Sequence, residues 1–338
     1  MMLAVAASCV AFSATSAQVA VPGFSLPPSN QLSPEAVAIL KRMDAAAAPA
    51  DIAGNIPKQR AFYQRFNDDR LGEMQRRFKT IVHHETIGGV GVDVVEPAEG
   101  ISPANRGRVL INAHGGAFLW GAGSGALVEA IPIAAVMRVR VVTIDYRLAP
   151  DHHFPAASQD MSSVYRVLLK TYRAEAIGLY GCSAGGALVA QTTASLQGEG
   201  LPRPGAIGTF CSTGAPYTGD SLLLSGPLTG AAPVTTPPVS PYLTGVPLTD
   251  ARAYALLSDD ATRAMPPTLL LAGSRDFAAS ALTLAHRRLA AAGVPSELYL
   301  FDGLPHAFFM WPDMPESMEA FRLIAGFFDR HLAAGDKK

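Results

Sequence analysis

The sequence is short of charge. Asp, Glu, Lys and Arg make up 16% of its 338 residues and leave a formal net charge of −1. With no long run of like charge, the electrostatic footprint that holds a phosphate backbone is missing, and no nucleic-acid partner is expected. Cysteine is scarcer still. Cys9, Cys182 and Cys211 are too few to build a disulfide framework, and the last two read as buried small residues compatible with either redox compartment. Neither a CxxC nor an HExxH spacing occurs. The adjacent pairs His83-His84 and His152-His153 would point to opposite faces of an extended chain, so no metal and no other cofactor is expected. Although 49% of the residues are hydrophobic, no stretch reaches the roughly 18 uninterrupted apolar residues of a membrane span.

The opening MMLAVAASCVAFSATSAQ carries an apolar stretch from Leu3 to Phe12 and then small polar residues, with Thr15 and Ala17 suited to a signal peptidase site. Residues 1–17 are therefore read as a secretory leader, despite the absence of Lys or Arg before the apolar stretch. A working leader implies a periplasmic or secreted protein, and otherwise a cytoplasmic one. Only eight residues precede Cys9, too short a lead for a lipid-modified cysteine.

From about residue 107, short β-branched runs alternate with longer helical patterns, the signature of βαβ units and a mostly parallel sheet. RVLINA (108–113), RVVTID (140–145), AIGLYG (176–181), AIGTFC (206–211), TLLLAG (268–273) and ELYLFD (297–302) read as strands. IVHHETI and VGVDVVE before them read as an antiparallel pair joined at Gly88-Gly89, giving about eight strands. Apolar residues at helical spacing mark 155–173, 281–292 and 318–332 as helices packed on the sheet.

Two regions fall outside this pattern. Residues 57–79 form an amphipathic helix with a break expected near Gly72, placing Phe62, Phe66, Met74 and Phe78 on one face. A solvated basic face accounts for its seven Lys and Arg residues, and a cap helix over a site is the sharper alternative. Residues 214–250 hold seven prolines and the cluster Leu222-Leu223-Leu224, an irregular segment whose apolar content favours a lid. The expected organisation is an N-terminal cap segment over 18–79 and a catalytic domain over 80–338, with a cap or lid insertion at about 214–262.

The stretch LYGCSAGGALVA (179–190) sets a thiol beside a hydroxyl just after an apolar strand. In a nucleophile elbow, the residues two before and two after the nucleophile must be small, because neighbouring backbone passes close to them. Centred on Ser183 the frame has Gly181 and Gly185 in those places; centred on Cys182 it has Tyr180 and Ala184. The register selects Ser183. Such a hydroxyl needs a base, and acyl transfer needs donors for an oxyanion. INAHGGAF puts Gly115 and Gly116 directly after a strand, with His114 expected to brace the loop. Asp276 follows TLLLAG and His306 follows ELYLFDG, giving the chain order Ser, Asp, His; Asp302 is the competing acid.

These segments together resemble the hormone-sensitive-lipase-like family of α/β-hydrolase fold carboxylesterases. HGGAF (114–118) is similar to its oxyanion motif, DYRLAPDHHFPAA (145–157) to its stretch after the fourth strand, GCSAGG to its elbow, and GSRD and LPHAF to its acid and base segments. The likeness covers roughly residues 80–332. It implies an α/β-hydrolase fold, with a mostly parallel eight-stranded sheet flanked by helices and a cap built from the N-terminal helices and the segment after the sixth strand. Two departures stand out: Cys182 where the family often has an acidic residue or Thr, and Phe277-Ala278 after the acid instead of Pro-Leu.

The expected chemistry is two-step acyl transfer on a small-molecule ester. Ser183 attacks, His306 oriented by Asp276 takes the proton, and the N–H groups of Gly115, Gly116 and Ala184 receive the oxyanion. Phe118 and Trp120 are candidates for the substrate pocket, with core packing the alternative for both. The resemblance favours small or short-chain esters, while lactones, arylformamides and carbamates suit similar sites. A non-catalytic ligand receptor on the same fold is the rival that His306 opposes. GAGSG (121–125) is not a dinucleotide loop, since Ala126 stands where the third glycine belongs. An apolar surface around the cap would admit a homodimer.

Overall fold

The computed structural model describes residues 23, 25–228, 231–237 and 239–334, and the leader expected at 1–17 lies outside them. Every run read as a strand is one: β1 (Thr80–Ile87), β2 (Val90–Pro97), β3 (Val109–Ala113), β4 (Arg140–Ile144), β5 (Ile177–Cys182), β6 (Ala206–Phe210), β7 (Thr268–Gly273) and β8 (Ser296–Phe301). They form one sheet in the order β1-β2-β4-β3-β5-β6-β7-β8. Pairing is antiparallel between β1 and β2 and between β2 and β4, and parallel from β4 onward. The hairpin turns through Gly88 and Gly89 at φ 62° and 82°, the left-handed pair that a two-residue connection with matching twist requires.

The helices are α1 (Pro34–Ala45), α2 (Ile56–Arg77), α3 (Ser124–Met137), α4 (Ala156–Leu168), α5 (Ala184–Gly198), α6 (Asp220–Leu228), α7 (Asp259–Arg263), α8 (Ala279–Ala291) and α9 (Pro315–His331). Alternate side chains of each central strand feed two cores, one on either face of the sheet. Ile111, Leu179 and Leu270 enter the core that includes residues of α4, α5 and α8; Leu110, Tyr180 and Leu271 enter the core that includes residues of α3 and α9. This two-faced burial explains why the central strands read as continuous apolar runs.

One expectation about α2 is corrected. The helix runs unbroken through Gly72, where a glycine costs about 1 kcal/mol relative to alanine but does not force a kink. Nor is its basic face merely solvated. Arg60 donates to the carbonyls of Leu119 and Ala149 at 2.8 and 2.9 Å. Arg70, buried, pairs with Glu73 at 3.0 Å and lies 3.6 Å over the Trp311 ring. Two of the cations thus anchor the helix to the body of the protein.

Parallel strands bring their C-terminal ends to one edge of the sheet, where open α/β folds place their ligands. The register makes the juxtaposition concrete. Ala113 pairs with Gly181, so the HGGAF loop leaves β3 beside the turn that ends β5; Gly273 pairs with Phe301, so the loops carrying Asp276 and His306 start side by side. No helix among the described residues is long and apolar enough to cross a membrane.

Candidate active site

Ser183 sits between β5 and α5 with φ 57° and ψ −122°, a conformation L-residues rarely adopt and one that costs roughly 1–3 kcal/mol. The surrounding packing holds it there. A Cβ on Gly181 would lie 2.3 Å from the Ala113 carbonyl oxygen, and one on Gly185 would lie 1.9 Å from the same atom. Side chains are excluded at both positions, which is the physical content of the GxSxG spacing. The Ser183 N–H donates to Phe210 O at 2.8 Å, fixing the turn against the end of β6.

His306 Nδ1 donates to both oxygens of Asp276, at 2.9 Å to Oδ1 and 3.0 Å to Oδ2. Asp276 is 1% exposed, and its Oδ1 also accepts the Ala278 N–H at 2.8 Å. A carboxylate can only accept here, so Nδ1 carries the proton of the neutral ring and Nε2 is left with a lone pair. Asp302, the competing acid, is exposed and is occupied by the hydroxyls of Ser29 and Ser274. The departure from Pro-Leu after the acid has a structural use: Phe277 stacks on the His306 ring at 4.4 Å between centroids, and Tyr217 meets Phe277 edge-on at 4.8 Å. Segment 214–262 therefore reaches this site through Tyr217.

Ser183 and His306 line one cavity of about 220 Å³, together with Gly115, Gly116, Trp120, Cys182 and Glu129. From the other side α2 contributes Tyr63, Phe66 and Asn67. Trp120, one of the two aromatic candidates, stacks flat on Tyr63 at 4.4 Å and forms a wall. Phe118, the other, is corrected to a core residue. It is 3% exposed, is stacked on Tyr242 at 4.3 Å, and does not line the cavity.

His114 is fully buried, donates from Nδ1 to Gly115 O at 2.7 Å and stacks on Tyr146 at 4.2 Å. Tyr146 in turn donates to His114 O at 2.7 Å. Burial pushes the imidazole down to about 4, so it stays neutral and holds its loop without a charge. The expected donor Gly115 meets a competitor that sequence reasoning missed. Its N–H already goes to Glu129 Oε1 at 2.7 Å. Glu129 sits on an otherwise apolar helix, α3, with no motif around it. Gly116 N–H has no acceptor among the described residues, and Ala184, first in α5, has no i−4 carbonyl for its own N–H. Asn67 also went unnoticed in a helix whose pattern is dominated by charge.

The two thiols among the described residues, Cys182 and Cys211, are both buried. Burial raises Cys182 to about 11 and Cys211 well above its ordinary value, so neither is a thiolate near neutrality. Cys211, Asp276 and His306 each place a ligand-type atom within 4.8 Å of the others. That grouping is internally bonded: His306 Nδ1 is held by Asp276, and Cys211 Sγ accepts the Ala307 N–H at 3.3 Å.

Comparison with known proteins identifies the fold and the family. The family profile described as the alpha/beta hydrolase fold matches residues 110–310. An acetyl-hydrolase of Streptomyces hygroscopicus is 28% identical over 293 residues, 79% of this chain and 94% of that protein. Esterase LipU of Mycobacterium tuberculosis is 32% identical over 258 residues, 68% of this chain and 80% of that protein. The match to the putative acetyl-hydrolase LipR of the same organism is 33% identical but spans only 37% of this chain and 40% of that protein. The crystal structure of esterase E25 superposes with a TM-score of 0.79 at 27% identity, over 94% of this chain and 99% of that one. That of an esterase from the bacterial hormone-sensitive lipase family does so with 0.76 at 25% identity, over 89% and 99%. The chain belongs to the hormone-sensitive-lipase-like family of α/β-hydrolase fold carboxylesterases.

Proposed function

We propose that the protein is a serine carboxylesterase for small or short-chain acyl esters, working through an acyl-enzyme on Ser183. The observation that carries this reading is the Asp276–His306 pair opening into the same cavity as a strained serine. His306 Nε2 takes the Ser183 proton as Oγ attacks the ester carbonyl, and the resulting imidazolium is stabilised by Asp276. The oxyanion is received by the N–H groups of Gly116 and Ala184, with Gly115 engaged by Glu129. His306 then passes its proton to the leaving alkoxide, and water activated by the same ring releases the acid. Each oxyanion donor is worth about 3 kcal/mol in the transition state.

In this reading α2 is the cap. Tyr63 and Trp120 form an aromatic wall, Phe66 and Met310 line the cavity with them, and Asn67, whose amide has no hydrogen-bond partner among the described residues, offers it toward the substrate. A cavity of about 220 Å³ favours short acyl groups over long lipid chains. The test is hydrolysis of p-nitrophenyl acetate, butyrate and decanoate by the purified chain and its Ser183→Ala variant. The expected result is turnover that falls from butyrate to decanoate and is lost in the variant. Turnover surviving in Ser183→Ala would overturn the assignment.

A further inference from the structure

We propose that Glu129 is a positioning residue for this hydrolysis: its carboxylate ties the loop after β3 to the nucleophile turn after β5 and holds the two oxyanion-donor walls in register. The inference rests on the esterase reading for its catalytic meaning, though the brace itself is independent of it. Glu129 projects from α3 to the base of the cavity and is 6% exposed. Oε1 accepts the Gly115 N–H at 2.7 Å, and Oε2 accepts the Cys182 N–H and the Asn112 amide, both at 3.2 Å. Gly115 precedes the donor Gly116, and Cys182 lies two residues before the donor Ala184. One side chain therefore touches the backbone of both walls.

The direction of the hydrogen bonds shows what Glu129 must be. Thr143 Oγ1 donates to Asn112 Oδ1 at 2.7 Å, while the Asn112 NH₂ donates to the carboxylate at 3.2 Å. All three groups facing Glu129 are then donors, a set that suits an anion. A protonated carboxyl would have to aim its own O–H at one of them, so protonation breaks the brace at one contact. Burial opposes ionisation and the three hydrogen bonds favour it, and the balance stands at about 7. The brace is thus complete above neutrality and incomplete below it.

Other groups facing the carboxylate do not provide a competing charge except one. His306 lies across the cavity, and its imidazolium favours the Glu129 anion. Tyr146, Tyr180 and Cys182 are buried and held neutral. From α2 the cavity receives Tyr63, Phe66 and Asn67, and the buried residues of α9 include no charged side chain. Ionised Glu129 therefore acts in two ways: it orients the loop backbone, and it offsets the positive charge that His306 acquires in the transition state.

The experiment exploits the chain's three cysteines. Protein labelled with ¹⁵N-cysteine gives at most three amide signals, and Cys9→Ala and Cys211→Ala, each deleting its own signal, leave that of Cys182 assigned. Over pH 5.5–8.5 the Cys182 amide should move with a midpoint near 7, and this transition should be absent in Glu129→Gln. Asn112→Ala, which removes one donor to the anion, should move the midpoint to higher pH. In parallel, kcat for p-nitrophenyl butyrate at pH 8 should fall about tenfold or more in Glu129→Gln, because a loop displaced by a fraction of an ångström misplaces its donors. KM should stay within about twofold, since the lost interaction acts in the transition state. A Cys182 amide that titrates identically with and without Glu129, or is unmoved by Asn112→Ala, would overturn the brace. So would a Glu129→Gln enzyme with unchanged kcat at every pH. If the unaltered chain hydrolyses nothing and Ser183 takes no phosphonate, the esterase reading fails instead, and the amide titration still decides on Glu129.

Discussion

Gly185→Ala puts the elbow's steric argument to a quantitative test. The added Cβ would stand 1.9 Å from Ala113 O, 2.7 Å from Ala113 C and 2.8 Å from His114 O. All three are backbone atoms at the end of the central strand, with no side chain able to swing aside. Ordinary carbon–oxygen contact begins at about 3.3 Å, so β3 and α5 must separate by roughly 1.4 Å. Overpacking of this kind costs typically 1–3 kcal/mol, or a fall in Tm of about 2–6 °C at about 2 °C per kcal/mol for a chain of this size. The catalytic cost is larger. The movement opens the gap between the loop carrying Gly116 and the turn carrying Ser183, and a misplacement of about 1 Å is worth about 100-fold in rate. Gly198→Ala supplies the control, since its Cβ would meet nothing within 4 Å. That variant should be neutral or stabilised by up to about 1 kcal/mol, with kcat unchanged. Thermal melts and p-nitrophenyl butyrate turnover read both effects. A Gly185→Ala protein with native Tm and kcat would refute the close-approach argument.

Further outcomes distinguish neighbouring residues. Asp276→Asn should lower kcat by about 10⁴-fold with the fold intact, and Asp302→Asn should leave it within about twofold; equal losses would mean the wrong acid has been chosen. Phe118→Ala should cost about 3–5 kcal/mol of stability in denaturant melts, whereas Trp120→Ala should chiefly raise KM and alter chain-length preference. Reversed effects would contradict the placement of the two rings. Iodoacetamide at pH 8 should leave Cys182 and Cys211 unmodified by peptide mass mapping while the protein is folded, because burial holds both thiols neutral. Rapid alkylation with loss of activity would reverse that conclusion. Glu129, raised from 4.5 to about 7, binds its proton more tightly in the folded state, so its contribution to stability is present below pH 4.5 and is lost by about pH 7. His114, lowered from 6.5 to about 4, contributes in the opposite sense, with stability lost as pH falls through that window. Relative to the unaltered chain, Glu129→Gln should therefore gain about 3 kcal/mol of stability between pH 4.5 and 7. Parallel stability curves for the two proteins would count against the buried carboxyl.

Residues whose neighbours in sequence are also their neighbours in space were readable from the sequence. The elbow is one: Gly181, Ser183 and Gly185 share a single turn, and the small-residue requirement is written into five consecutive positions. The strands were equally legible, because burial on both faces leaves uninterrupted apolar runs. Asp276 and His306 could be located as loop residues after strands, with Asp276 preferred to Asp302 because the latter shares a loop with the base; in the structure His306 Nδ1 meets Asp276, and Asp302 is bonded to Ser274. Glu129 was invisible for the opposite reason. Its three donors come from β3, the loop after it and the end of β5, so nothing near it in sequence announces a carboxylate with partners. Asn67 and the inward-turned Arg60 and Arg70 were hidden in a helix whose charges suggest solvent, because a long arginine can reach carbonyls or an aromatic face while its neighbours remain exposed. Phe118 and Trp120, two residues apart, were indistinguishable until the backbone turn between them sent one ring to the core and the other to the cavity.

The central claim is that Ser183 is a nucleophile activated by His306, and covalent labelling reads it directly. The purified protein is treated with a fluorophosphonate probe and the adduct is mapped by peptide mass spectrometry, with Ser183→Ala and His306→Ala alongside. The account predicts one adduct, on Ser183, absent from the first variant and strongly slowed in the second. A folded protein that takes no label, or takes it on another residue, would contradict it.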